Sequence, residues 1–249
     1  MSKQSGLGDQ AFVHGYDLSG DVASLSRIAG GQGLGDLTGI NSSAHERVGL
    51  LRSGEIAFTS WFNDASLQEH AALSPLPLTN VIVSYLRGTT LGNPAACMTA
   101  KQVNYDPTRN QDGSLQFGVQ ALSSHSIVGL EWCEQLTAGK ATHASATNGT
   151  SRDYGAASTA FGASAYWHLF DLASGTVDGE IQDSANDTDF VAVTGLGFTA
   201  VADGSEPTAE RVATATGATI RQYVRFASTG TFTNADLWAG FIRHLTSTL

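Results

Sequence analysis

Hydrophobic and polar positions alternate most clearly between residues 54 and 63. Ile56, Phe58 and Ser60 fall on one side of an extended chain, and Glu55, Ala57, Thr59 and Trp61 on the other, because successive side chains of a strand point to opposite faces. The pattern predicts a long strand entered from a turn at Ser53-Gly54. Asn63 or Asp64 then caps a short helix through Leu67, Ala71 and Leu73, which Pro75 and Pro77 close.

Ahead of this stretch, residues 1–10 read as a flexible arm and residues 11–16 as a first strand. Residues 22–28 have mixed periodicity, and residues 30–35 read as a mobile glycine loop. Behind it, strands are expected at 81–86, 95–103, 115–122 and 127–133, with Asp112-Gly113 as a hairpin signal. Residues 137–150 are small and polar, with little to bury, so they read as a linker or exposed loop. They divide the chain into units of 1–140 and 151–249, joined by a linker at 141–150. The second unit is β throughout. Strands are expected at 163–172, 177–182, 190–193, 198–201, 211–215, 220–226 and 237–245, with Ser174-Gly175 as a turn. Short strands with frequent turns suggest a sandwich.

One order of elements carries a resemblance. Asp36-Leu37-Thr38 is followed by His45-Glu46-Arg47, then by a strand of the form Gly-Glu-Ile-x-Phe-x-Ser-x-Phe from Gly54, then by the short helix. This order resembles the tail tube (major tail) proteins of long-tailed bacteriophages, over roughly residues 10–125. The runs 180–184 and 221–225 resemble jelly-roll-like outer domains fused to some phage structural proteins. The resemblance implies a mainly β fold: an N-terminal β-sandwich or barrel-type tail tube domain with one short helix, plus a C-terminal jelly-roll-like β-sandwich. It also implies hexameric rings that stack into a tube, contacts with other tail proteins, and a place in the virion tail after synthesis in the host bacterial cytoplasm. The expected subunit-contact residues are Arg47, Arg52, Glu55, Trp61 and Phe62.

Composition agrees with that picture. Only 14% of the 249 residues are charged, against about 25% in ordinary soluble domains. Such a surface suits a protein packed against copies of itself, and equally a simple secreted β domain. The net charge of -10 and the absence of a basic stripe leave nothing to neutralise phosphates. In the tube that the resemblance implies, DNA is expected to pass through an acidic channel without specific binding. Residues 171–210 hold nine acids and no Lys or Arg. The first residues have no apolar core, so no signal peptide is expected, and no apolar run approaches a membrane span. Cys97 and Cys133 make no disulfide framework and are expected as free thiols, with one bridge between them as the alternative.

Four stretches bear on chemistry. The glycine run lacks the strand before it and the helix after it that a nucleotide site needs. No Gly-x-Ser-x-Gly elbow occurs; the 162–166 run, Gly-Ala-Ser-Ala-Tyr, falls short of one and sits in a strand. The seven His lack metal-ligand spacing, and His45-Glu46-Arg47 reads as a solvated or interface cluster. Asp183, Asn186, Asp187 and Asp189 offer oxygens that could hold Ca²⁺, without the spacing of an EF-hand. No catalytic residue and no cofactor are expected. Trp132, Trp167 and Trp238 are expected in the core, and Trp61 and Phe62 in the core or at a subunit contact. The competing expectation is a non-enzymatic carbohydrate- or receptor-binding β-sandwich on a virion or cell surface.

Overall fold

The computed structural model describes residues 5–158 and 161–245. The first half contains β1 (Gln10–Val13), β2 (Tyr16–Asp17), β3 (Val22–Asp36), β4 (Arg47–Trp61), α1 (Glu69–Leu73), β5 (Val81–Leu86), β6 (Pro94–Arg109), β7 (Leu115–Ser123) and β8 (Glu131–Gln135). The second contains β9 (Ala141–His143), β10 (Thr147–Asn148), β11 (Arg152–Asp153), β12 (Ala163–Ser184), β13 (Val191–Gly197), β14 (Val201–Ala202), β15 (Thr208–Ala213) and β16 (Tyr223–Arg243). The fold is mainly β with one short helix, as expected. Hydrogen bonding follows the order β13-β12-β16-β8-β6-β5-β1-β2, and β7 and β4 carry the sheet from β6 out to β3.

The alternation at 54–63 survives intact. Ile56, Phe58 and Ser60 are buried, while Ala57 and Thr59 are half-buried. What precedes it differs from expectation. Ser53-Gly54 is no turn: β4 runs straight through it, and residues 30–35 form part of β3 rather than a loop. The reversal lies at residues 37–46, where Asp36 accepts hydrogen bonds from Thr38 and Leu37 N donates to Glu46 O at 2.8 Å. β3 hides its periodicity because its register against β4 slips at three places, between Val22 and Ser24, Leu25 and Arg27, and Gln32 and Leu34. Each bulge moves the following side chains to the other face.

The helix cap also differs. Asn63 caps the Ala65 amide, at 3.2 Å, but the helix begins later, and its Glu69 amide donates to Asp21 at 3.1 Å. The positive φ of Leu67 breaks the chain between the two. Residues 5–9 are tied down rather than flexible. Asp9 accepts from Arg87 Nη1 at 2.6 Å, from Gly88 N at 2.9 Å and from the Tyr85 hydroxyl. Residues 1–4 of the expected arm lie outside the described residues.

In the second half, the expected short strands fuse. Residues 163–184 form one strand, paired along most of its length with β16, which absorbs most of 220–226 and 237–245. Ser174-Gly175 lies inside β12, not in a turn. Gly175 has φ 93°, and a Cβ there would lie 2.3 Å from Thr231 O, so only glycine lets the two long strands pair at this point. Residues 141–150, expected as a linker, contribute β9 and β10, both paired with β16.

Three clusters form the core. One lies in the first half around Ile56, Phe58, Met98 and Val119. A second lies in the second half around Trp167, Val177, Phe226 and Phe241. The third joins the halves: Phe12, Ile82, Leu86, Cys97 and Cys133 pack on Tyr166, Phe170 and Trp238. Each large apolar side chain so buried contributes about 1.5–3 kcal/mol. Trp167 and Trp238 are core residues. Trp132 is not; it is 52% exposed, because Glu131 and Cys133 take the inward positions of β8.

Candidate self-association surface

β3 and β4 pair from Val22 and Ser60 out to Asp36 and Arg47. β7 covers β4 only as far as Glu55, which it matches with Leu122. Beyond that point the two strands form a ribbon whose only strand partners, among the described residues, are each other. The ribbon is apolar where it should be wet: Leu34, Leu37, Leu50 and Leu51 are exposed, Leu51 to 90%, and Ile40 stands fully in solvent. A two-stranded ribbon is marginally stable by itself, and adjacent aliphatic side chains in water cost free energy.

The root of the ribbon is held rigidly. Gly54 and Gly129 meet backbone to backbone; a Cβ on Gly129 would lie 2.6 Å from Ser53 O. Gly54 N also donates to Ser123 Oγ at 2.8 Å. Beside this root lies a groove of about 500 Å³, lined by Gln32, Arg52, Leu130, Trp132, Ile242 and Arg243 among others. At the far end, His45 Nδ1 lies 3.0 Å from Asp36 Oδ2. Hydrogen bonds from Thr38, and a weaker one from His45, hold the Asp36 carboxyl below its usual range.

The five expected contact residues do not gather in one patch. Arg47 and Arg52 lie exposed on the ribbon. Glu55 sits at its root, ion-paired with Arg27 at 2.9 Å and accepting from Gln120 at 2.7 Å. Trp61 and Phe62 are at the opposite end of β4, where Phe62 packs on His70 and Phe117. Sequence reasoning missed the aliphatic residues of the ribbon. The signal was Leu50-Leu51: neighbours in a strand face opposite ways, so at least one needs cover that a single core does not give.

Two polar constellations lie elsewhere in the fold. Ser164, His244 and Glu131 come together, which resembles a hydrolytic triad. Ser164 Oγ lies 3.2 Å from His244 Nε2, and Glu131 Oε1 lies 3.0 Å from the same nitrogen. A triad needs the acid and the nucleophile on different ring nitrogens, so no relay runs here. Ser164 is also wholly buried and accepts from Arg211 Nη2 at 2.7 Å. The cluster is a polar clamp binding β8, β12, β15 and β16. Burial opposes the Glu131 charge, but His244, Arg211 at 2.8 Å and Tyr166 donate to it and hold its carboxyl down at about 2.

The acidic loop spends its oxygens internally. Asp183 accepts from Arg221 N at 2.8 Å, Asn186 Nδ2 donates to Asp189 at 2.7 Å, and Asp187 accepts from Ser151. Among the described residues no group of three or more His, Cys, Asp or Glu is placed to hold a metal ion. No helix among them is long and apolar enough to cross a membrane.

No protein-family model matches the chain, and no curated protein matches its sequence. Solved structures of tail and hub proteins do resemble it. A chain from the tail of an empty gene transfer agent particle with C6 symmetry is 17% identical, with a TM-score of 0.39, over 52% of this chain and 98% of that one. A chain from the native gene transfer agent virion is 14% identical, with a TM-score of 0.38 and the same coverage. The SPP1 Dit protein, a hub adsorption apparatus protein of phages that infect Gram-positive bacteria, is 10% identical, with a TM-score of 0.35, over 94% of this chain and 99% of that one.

Proposed function

We propose that the chain is a structural subunit of a phage tail that joins copies of itself into rings, with the rings stacking into the tail tube. The carrying observation is the β3–β4 ribbon: a long free strand edge beside exposed aliphatic side chains, fixed rigidly at its root. Burying five such side chains against a neighbour is worth roughly 7–15 kcal/mol before the costs of association. The groove beside the root, with Trp132 and two Arg, is the natural receiver for the ribbon of the next copy, whose reversal carries Asp36, Glu46, Leu37 and Ile40.

In this reading the solvent face of β4, β7 and β6 lines the channel. That face carries Ala57, Thr59, Gln116, Gly118, Gln120, Asn104 and Thr108, with Glu55 paired to Arg27 and with Asp106 and Lys101 as its other charges. Such a wall gives DNA few counterion-releasing contacts. It works by sparse charge of mixed sign rather than by the acidic repulsion expected from net charge, whose densest acids, at 171–210, belong to the second half. The division of labour is a ring-forming unit at 1–140, whose receiving groove is completed by Ile242 and Arg243, and an outward unit formed by the rest of 151–249.

Negative-stain microscopy with light scattering tests the reading. The wild-type chain should form rings or tubes as concentration rises. The double variant Leu37→Asp, Ile40→Asp should stay a folded monomer. A wild-type chain that remains monomeric at every concentration, or a double variant that assembles as well as the wild type, refutes it. Rings that never stack would keep the ring and remove the tube.

A further inference from the structure

Cys97 and Cys133 are the only cysteines in the chain. The register sets Ala95 against Cys133 and Cys97 against Glu131, so the two cysteines are diagonal neighbours on one face of β6 and β8. Both are free and buried in the cluster that joins the halves. Cys97 Sγ lies 3.9 Å from the Ala95 carbonyl. Burial, and then the adjoining Cys97 thiol, push the Cys133 thiol well up, so it stays neutral and protected while the sheet is closed.

We propose that Cys97 and Cys133 are an oxidative modification site: a dithiol that a hydroperoxide converts into an intramolecular disulfide between β6 and β8. One thiol takes an oxygen from the hydroperoxide and becomes a sulfenic acid, releasing water or an alcohol. The second thiol displaces the hydroxyl, the S–S bond forms, and one water leaves. The two sulfurs together lose two electrons to the peroxide bond. Reducing surroundings keep the dithiol, and oxidising ones make the bridge.

The position gives the bridge its effect. β6 belongs to the first half, and β8 hydrogen-bonds onward to β16. The staple therefore joins two strands of the first half beside the seam, fastening to β6 the strand that pairs with β16, and closes a loop containing β7. Diagonal neighbours stand about 7–8 Å apart at Cα, and a disulfide spans up to about 6.8 Å. Bridging therefore draws the strands together by about 1 Å, and β8, only five residues long, is the piece that yields. Because both thiols are buried, oxidation proceeds through transient opening of this short strand.

The test uses the reduced full chain treated with hydrogen peroxide, in native buffer and in urea below the unfolding transition. The product is then unfolded, alkylated and mapped without reductant. A single peptide pair joining Cys97 to Cys133 is expected, forming faster in the urea arm, together with a rise in Tm of about 5 °C or more that reductant reverses. Cys97→Ser and Cys133→Ser should each abolish both effects. Two alkylatable thiols remaining in the urea arm, sulfinic acids in place of the bridge, or bridges only between chains would overturn the proposal.

Discussion

His168 stands where the two halves meet, and acid should act on it. The ring is fully buried on β12 between Phe12 and Trp238. Gly15 N donates to its Nδ1 at 3.1 Å, so Nδ1 carries no proton, and Nε2–H donates to Ser84 Oγ at 3.0 Å. A second proton would have to sit on Nδ1, facing the Gly15 amide. Burial first, and the neighbouring His14 second, drop its pKa from 6.5 to about 3. The unfolded chain binds this proton below about 6.5, while the folded chain binds it only near 3. Between those values acid favours unfolding, and the stabilisation present above 6.5 is lost as pH falls. The loss is about 1.4 kcal/mol per pH unit, about 5 kcal/mol in full, and about 2 kcal/mol between pH 7.5 and 5.

The assay is urea unfolding followed by tryptophan fluorescence at those two pH values, for the wild type and for His168→Gln. Gln keeps a donor and an acceptor but cannot titrate. It should lower stability at pH 7.5 by about 1–3 kcal/mol through imperfect hydrogen bonds. The informative quantity is the loss between pH 7.5 and 5, which should be about 2 kcal/mol smaller in the variant. His14, His125 and His143 are also lowered by burial, but they remain in both proteins and cancel. Equal losses, within about 0.5 kcal/mol, would refute the assignment of a neutral, doubly bonded His168.

Glu131→Gln should destabilise the chain by about 3–5 kcal/mol at pH 7, because it leaves the Arg211 guanidinium buried without its counter-charge. The same variant should lose the wild type's acid sensitivity between pH 4.5 and 2, where a carboxylate held at about 2 gives up its stabilisation; chemical denaturation at pH 7 and 3 checks both. Deleting residues 151–249 should yield an aggregating chain rather than a slimmer tube, because Phe12, Ile82 and Leu86 lose the cover of Tyr166, Phe170 and Trp238. A soluble fragment with a cooperative thermal transition would show that the halves fold independently.

Legibility in the sequence followed the regularity of the sheet. Residues 54–61 could be read because β4 is flat there and one face is buried, so period two reaches the sequence undistorted. β3 could not, because three register slips scramble its faces and its glycines carry no pattern at all. Gly175 gave a correct signal of irregular backbone, but a positive φ within a strand and one in a turn between strands ask the same of a glycine. The polar clamp was invisible for a different reason. Glu131, Ser164, Tyr166, Arg211 and His244 are spread over 113 residues of chain, and only the pairing of β12 with β15 and β16 brings them together. The ribbon was not legible: residues 30–35 read as a glycine loop and Ser53-Gly54 as a turn, so neither its two strands nor their lack of cover was seen.

The edges of the sheet show why that missing cover is informative. Proteins protect exposed edges by keeping them short or by placing charge or proline on them. Here β2 has two residues, β15 six and β13 seven, too little to template a neighbour. The inner edges of the junction are filled, since β8 pairs with both β6 and β16, and β9, β10 and β11 add to β16. β3 breaks the rule with fifteen residues, one paired edge and four glycines at 30, 31, 33 and 35. Glycine weakens a strand that must stand alone, yet it is the residue that lets another backbone approach closely. A chain that blunts its other edges and leaves this one long and flanked by leucine, though bulged at three places, has an edge suited to a second copy. In the proposed assembly the five aliphatic side chains beside it supply the free energy that two strands alone lack.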